Sequence, residues 1–102
     1  MNVSVVHGDA LQHDTPLLVY GAWEGEAVPA ALANLIEEGD WTGKSKSTLL
    51  LYPRGAVAAR RVLLVGLGKR SAFTPTTLRE IAGSAAQRAR ELKVERYSFE
   101  LP

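Results

Sequence analysis

The run Val62-Leu63-Leu64-Val65, entered from Arg60-Arg61 and left through Gly66-Leu67-Gly68, constrains the fold more than any other stretch of the 102 residues. It is continuously apolar instead of alternating, and a strand of that kind needs cover on both of its faces. Thr48-Leu49-Leu50-Leu51-Tyr52 is a second run of the same type, so these two strands are expected to lie deepest. The connection between them, Pro53 to Arg61, is too short for a crossover helix with its loops, which predicts antiparallel neighbours.

The remaining elements follow from period and punctuation. Val3 to Val6 and Leu17 to Tyr20 read as short strands separated by the turn-forming stretch from His7-Gly8-Asp9 to Asp14-Thr15-Pro16. Val28, Leu32, Leu35 and Ile36 recur at helical spacing, with Pro29 suited to a first turn and Gly39 to the left-handed residue past the end. Glu37 and Glu38 stand at the negative end of that helix dipole, which calls for a basic neighbour. Thr74-Pro75 offers an N-cap and first-turn pair. From there Leu78, Ile81, Ala82, Ala85, Ala89 and Leu92 draw an alanine-rich stripe that lets a helix sit close on a sheet, with Arg79, Gln87, Arg88 and Arg90 pointing elsewhere. Tyr97, Phe99 and Leu101 alternate with Ser98 and Glu100, the pattern of an edge strand with one wet face. Residues 62–101 therefore form a βαβ unit, expected to cross over right-handed, in a mixed sheet flanked by helices.

Composition sets the class. Length allows one domain, 1–102, and 46% apolar with 23% charged residues excludes disorder and fibrous repeats. The absence of cysteine removes disulfides, thiolate metal sites and thiol nucleophiles, and suits a reducing cytoplasm. No signal-like leader or membrane-length apolar run is present in the sequence. Residues 1–40 carry −7 and residues 41–102 carry +8. Such an asymmetry marks either an anionic partner for the basic half or mutual neutralisation on packing, and the second is the expectation.

Few residues carry chemistry. Gly66, Gly68, Lys69, Arg70 and Ser71 lie between a buried strand and a helix start, where amides and a helix dipole could hold an anion. Ser71 stands where the dinucleotide pattern needs its third glycine, and the commoner reading is a tight turn with a solvated Lys69-Arg70 pair. Gly43-Lys44-Ser45 imitates the end of a phosphate loop, but Gly39 is one residue too close and the segment follows a helix. His7, His13 and Asp9 read as surface residues, not as a metal site. No Ser-His-Asp arrangement or nucleophile elbow is present, and Glu24, Glu26, Glu37, Glu38 and Asp40 read as a solvated face. Trp23 is expected to dock its ring on the sheet edge, with an interface anchor or a lid residue as the alternatives. Arg54, Arg60, Arg61, Lys69 and Arg70 lack interleaved aromatics, a weak basis for nucleic-acid binding.

Arg60-Arg61-Val62-Leu63-Leu64-Val65-Gly66-Leu67-Gly68-Lys69, followed by Leu78-Arg79-Glu80-Ile81-Ala82-Gly83-Ser84-Ala85-Ala86, closely resembles the N-terminal domain of leucyl aminopeptidases, also called cytosol aminopeptidases. The resemblance implies a three-layer α/β domain similar to the macro fold, whose relatives elsewhere bind ADP-ribose. It also implies a non-catalytic role for this chain, with no catalytic, metal or cofactor residue of its own. In that family a downstream domain holds two divalent metals, manganese or zinc, and removes N-terminal amino acids from peptides in a cytoplasmic hexamer. The expected partners are that downstream domain and other subunits of a homo-oligomer, with no membrane. The family's domain usually continues past residue 101 into a further helix, so one helix is expected to be missing and part of the sheet face bare. Two alternatives stay open: a free-standing macro-like module binding ADP-ribose or another phosphate ligand, and a DNA-binding accessory domain.

Overall fold

The computed structural model describes residues 2–6, as backbone alone, and residues 14–100. His7, Asp9, His13 and Leu101 lie outside the described residues. A mixed sheet of five strands runs in the order β1-β5-β2-β4-β3. Its strands are β1 (Asn2–Val6), β2 (Leu18–Trp23), β3 (Thr48–Leu51), β4 (Val62–Gly68) and β5 (Arg96–Glu100). The pairs β1·β5, β5·β2 and β2·β4 are parallel, and β3·β4 is antiparallel as the short connection required. One helix lies against each face, α1 (Ala30–Ala33) and α2 (Pro75–Glu91), which gives an α/β fold.

Alternate residues of the continuous apolar run feed two separate cores. Leu63, Val65 and Leu67 join Leu17, Val19, Tyr97 and Phe99 under Ile81, Ala85 and Ala89 of α2. Val62 and Leu64 join Leu18 and Leu51 under Leu32 of α1, with Val57 and Ala59 of the β3–β4 connection. Every residue of β4 is buried, as a strand covered on both sides must be.

The second run does not lie equally deep. β3 is a sheet edge, with Thr48 exposed, Leu49 and Leu50 half-buried and Leu51 buried. Its apolar pattern reflects cover from both faces, whereas its outer backbone lies at the end of the sheet. Conversely β5 is not an edge, because β1 pairs along its far side. Ser98 is 1% exposed, and its hydroxyl donates to Thr15 Oγ1 at 3.4 Å while Thr15 Oγ1 donates to the carbonyl of Leu17 at 3.3 Å. The period-2 alternation is real, but the polar side of the strand is covered. β5 also does not neighbour β4, since the connection through α2 passes over β2.

The helices differ from expectation in one case. α2 begins where Thr74 caps it, its side chain accepting from the amide of Thr77 at 3.1 Å, and Pro75 opens the first turn. Of the apolar stripe, Ala82 alone is exposed. The segment 28–39 is not one helix: α1 spans four residues and continues as i−3 turns, Leu35 N to Leu32 O and Ile36 N to Ala33 O. Pro29 at the N-cap has no side-chain oxygen to hold the first amides, Asn34 has low helix propensity, and Glu37-Glu38 oppose the dipole. Gly39 does adopt a left-handed conformation, φ 88°, inside a later turn. No helix among the described residues is long and apolar enough to cross a membrane.

Candidate functional site

At the glycine turn after β4 the sequence allowed an anion site beside the commoner reading of a tight turn, and its surroundings are now explicit. Residues 42–47 lie along the end of β4 as a second backbone. The amide of Gly66 donates to the carbonyl of Ser47 at 2.7 Å, and the amide of Gly68 to that of Gly43 at 3.0 Å. The carbonyls are engaged as well, Gly66 O accepting from Lys46 N and Gly68 O from Glu24 N, each at 2.9 Å. A Cβ on Gly66 would stand 1.9 Å from the carbonyl oxygen of Lys44, so close approach of two backbones explains that glycine. Gly68 has φ 74°, a conformation that side chains resist. The Gly43-Lys44-Ser45 stretch is thus the segment that packs on the turn.

Arg70 is also committed. Its Nε donates to Glu26 Oε2 at 2.6 Å and its Nη2 to Oε1 at 3.0 Å, a two-point grip on one carboxylate. Its guanidinium lies 4.9 Å from the centre of the Trp23 ring, and Trp23 meets Phe73 edge to face at 5.0 Å. The hydrogen bonds from Arg70 hold the Glu26 carboxyl below its ordinary value, and the same bonds raise the guanidinium. Trp23 ends an interior strand instead of lying on a sheet edge, and it packs against the core beneath α2. Of the five proposed residues, Gly66 and Gly68 are buried in a closed turn, whereas Lys69, Arg70 and Ser71 are exposed, Arg70 held by Glu26. The arrangement ties the ends of β2 and β4 together; its two glycine amides do not converge on open space.

The basic and acidic halves meet directly through Glu26 and Arg70. The ion pairs Lys46–Glu80 and Arg88–Glu91 lie within the basic half. Among the described residues no ion pair reaches Glu37 or Glu38. Instead they edge an open groove of ≈ 270 Å³ lined by Val28, Ala33, Ile36 and Trp41, with Glu26 and Gly39 at its margin. Sequence reasoning missed this groove because it took 28–39 for one continuous helix. The signal available was Trp41 two residues beyond Gly39, directly after an acidic cluster. Among the described residues no three His, Cys, Asp or Glu side chains are grouped to hold a metal.

Comparison with known proteins agrees with the resemblance. Residues 11–102 match the family model described as cytosol aminopeptidase family, N-terminal domain. A probable cytosol aminopeptidase of Roseiflexus castenholzii is 60% identical over 102 residues, which are 100% of this chain and 21% of that protein. One from Geobacter sp. strain M21 is 36% identical over 112 positions, 100% of this chain and 23% of the relative. One from Acidobacterium capsulatum is 38% identical over 76 positions, 74% and 15% respectively. The chain spans about a fifth of the length of the first two relatives. On the extent of these matches, the chain belongs to the cytosol aminopeptidase family and corresponds to its N-terminal domain.

Proposed function

We propose that this chain serves, without turnover of its own, as the accessory domain of a metal-dependent aminopeptidase that removes N-terminal amino acids from peptides in the cytoplasm. Its role is to support a homo-oligomer, a hexamer in this reading, and to shape the active site of the adjoining catalytic domain. That domain would supply the two divalent metals, manganese or zinc. The fold is read as macro-like, used here as a scaffold.

The observation that carries the reading is the family match over residues 11–102, in a chain a fifth as long as relatives named for aminopeptidase activity. The glycine turn fits the same picture. Its amides are engaged by the 42–47 segment, and its arginine fastens a neighbouring loop, so the turn works as a joint between strands. In a polypeptide that carries this chain beside a metal-binding domain, deleting residues 1–102 is expected to lower both the assembled mass and the hydrolysis of an aminoacyl anilide. Assembly and turnover that survive the deletion unchanged would sink the reading.

A further inference from the structure

Two surfaces of the chain pair apolar side chains with charges of opposite sign. The first is the groove lined by Val28, Ile36 and Trp41 together with Glu37 and Glu38. Its ≈ 270 Å³ admits one aromatic ring, being smaller than the roughly 300–1,000 Å³ of pockets that take drug-sized ligands. No Lys or Arg precedes Lys44 in the chain, so no near neighbour in sequence neutralises its rim.

The second surface is the end of the β3–β4 hairpin. Tyr52 is 56% exposed, the large hydrophobic side chain that stands out to solvent among the described residues. Leu51 lies opposite Val62, so the chain leaves the sheet at Tyr52 and re-enters it after Arg61. Pro53, Val57 and Ala59 are buried, which folds the connection down on the core and leaves Arg54 and Arg60 exposed. The sequence has no acid between Trp41 and Arg79. An exposed aromatic ring thus belongs to an arginine-bearing, acid-free stretch of a molecule that also presents a groove lined by apolar side chains and glutamates.

We propose that the hairpin end of one copy of this chain docks on a second copy, seating Tyr52 in the Val28–Ile36–Trp41 groove with Arg54 and Arg60 against Glu37 and Glu38. The ring supplies the apolar burial, and the rim charges set orientation and speed of encounter more than affinity. This inference deepens the assembly reading above and rests on it.

Sedimentation of the 102-residue chain between about 10 µM and about 1 mM, the weak end of specific association, tests it. The wild-type mass should rise above the 11.0 kDa of one chain as concentration increases. Tyr52→Ser should hold it at one chain, as should Glu37→Lys/Glu38→Lys and Arg54→Glu/Arg60→Glu, each in a chain with unchanged circular dichroism. Mixing the two charge-reversed chains should restore association, because each then offers the other a matched groove and hairpin. Association that persists through all three variants would overturn this surface while leaving the assembly reading intact. A wild-type chain that stays at 11.0 kDa throughout would likewise overturn this surface, while the assembly reading stands or falls with the deletion described above.

Discussion

The two faces of the sheet are covered by different means. Beneath α2 the cover is a capped helix of 17 residues whose Ile81, Ala85 and Ala89 sit directly on β4 and β5. On the other face a four-residue helix shares the work with turns 34–41, the 53–61 connection and the 42–47 segment. Regular cover leaves little room for a site; piecemeal cover leaves a groove and two glutamates that no ion pair among the described residues reaches. The lesson is that recognition surfaces collect where local propensity fails to complete an element.

The sharpest way to break this contrast is at Gly66, which points to the piecemeal side. Gly66→Ala drives a Cβ into the Lys44 carbonyl, a backbone atom that cannot swing away. It should cost at least about 4 kcal/mol, above the usual range for overpacking, read as a large drop in Tm by calorimetry. At Gly83, in the middle of α2, an added Cβ would meet no atom within 4 Å. Gly83→Ala should therefore stabilise, by about 0.5–1 kcal/mol.

Leu63 and Leu64 are adjacent, fully buried and on opposite faces. Leu63→Ala beneath the rigid helix should cost about 3.5 kcal/mol, and Leu64→Ala beneath turns that can settle into the space about 2.5 kcal/mol. Equal losses in urea titration would mean that both covers are equally stiff. Thr74→Ala removes the cap of α2 and should cost about 1 kcal/mol, checked by helix amide exchange as well as by Tm.

The smallest effect belongs to Glu26 and Arg70, an exposed pair. Because the folded carboxyl titrates below its ordinary value of 4.5, its contribution is fully present above that pH and fades as pH falls through the lowered folded value. Glu26→Gln should flatten stability against pH on that acid limb and leave the neutral region nearly unchanged. An acid limb identical to that of the parent chain would show that the pair carries no weight.

Much of this architecture was legible in the residues. The continuous run 62–65, the short connection 53–61 and the Thr74-Pro75 start led to the buried strand, the antiparallel neighbour and the capped helix. Edge and interior were exchanged for β3 and β5, because strand order is a long-range property: only the pairing with β1 buries Ser98. The helix over 28–39 failed because apolar spacing spoke louder than Asn34 and the two glutamates. At the glycine turn the residue types were suggestive, but what engages them comes from residues 42–47 and from Glu26, 44 positions before Arg70. No local pattern reveals that distance.

Whether these 102 residues act alone or as an accessory is tested most directly by hydrolysis of leucine anilide, using the purified chain with manganese or zinc added. No turnover above the metal-only blank is predicted. Sustained release of the aniline, proportional to chain concentration and abolished by a chelator, would contradict it.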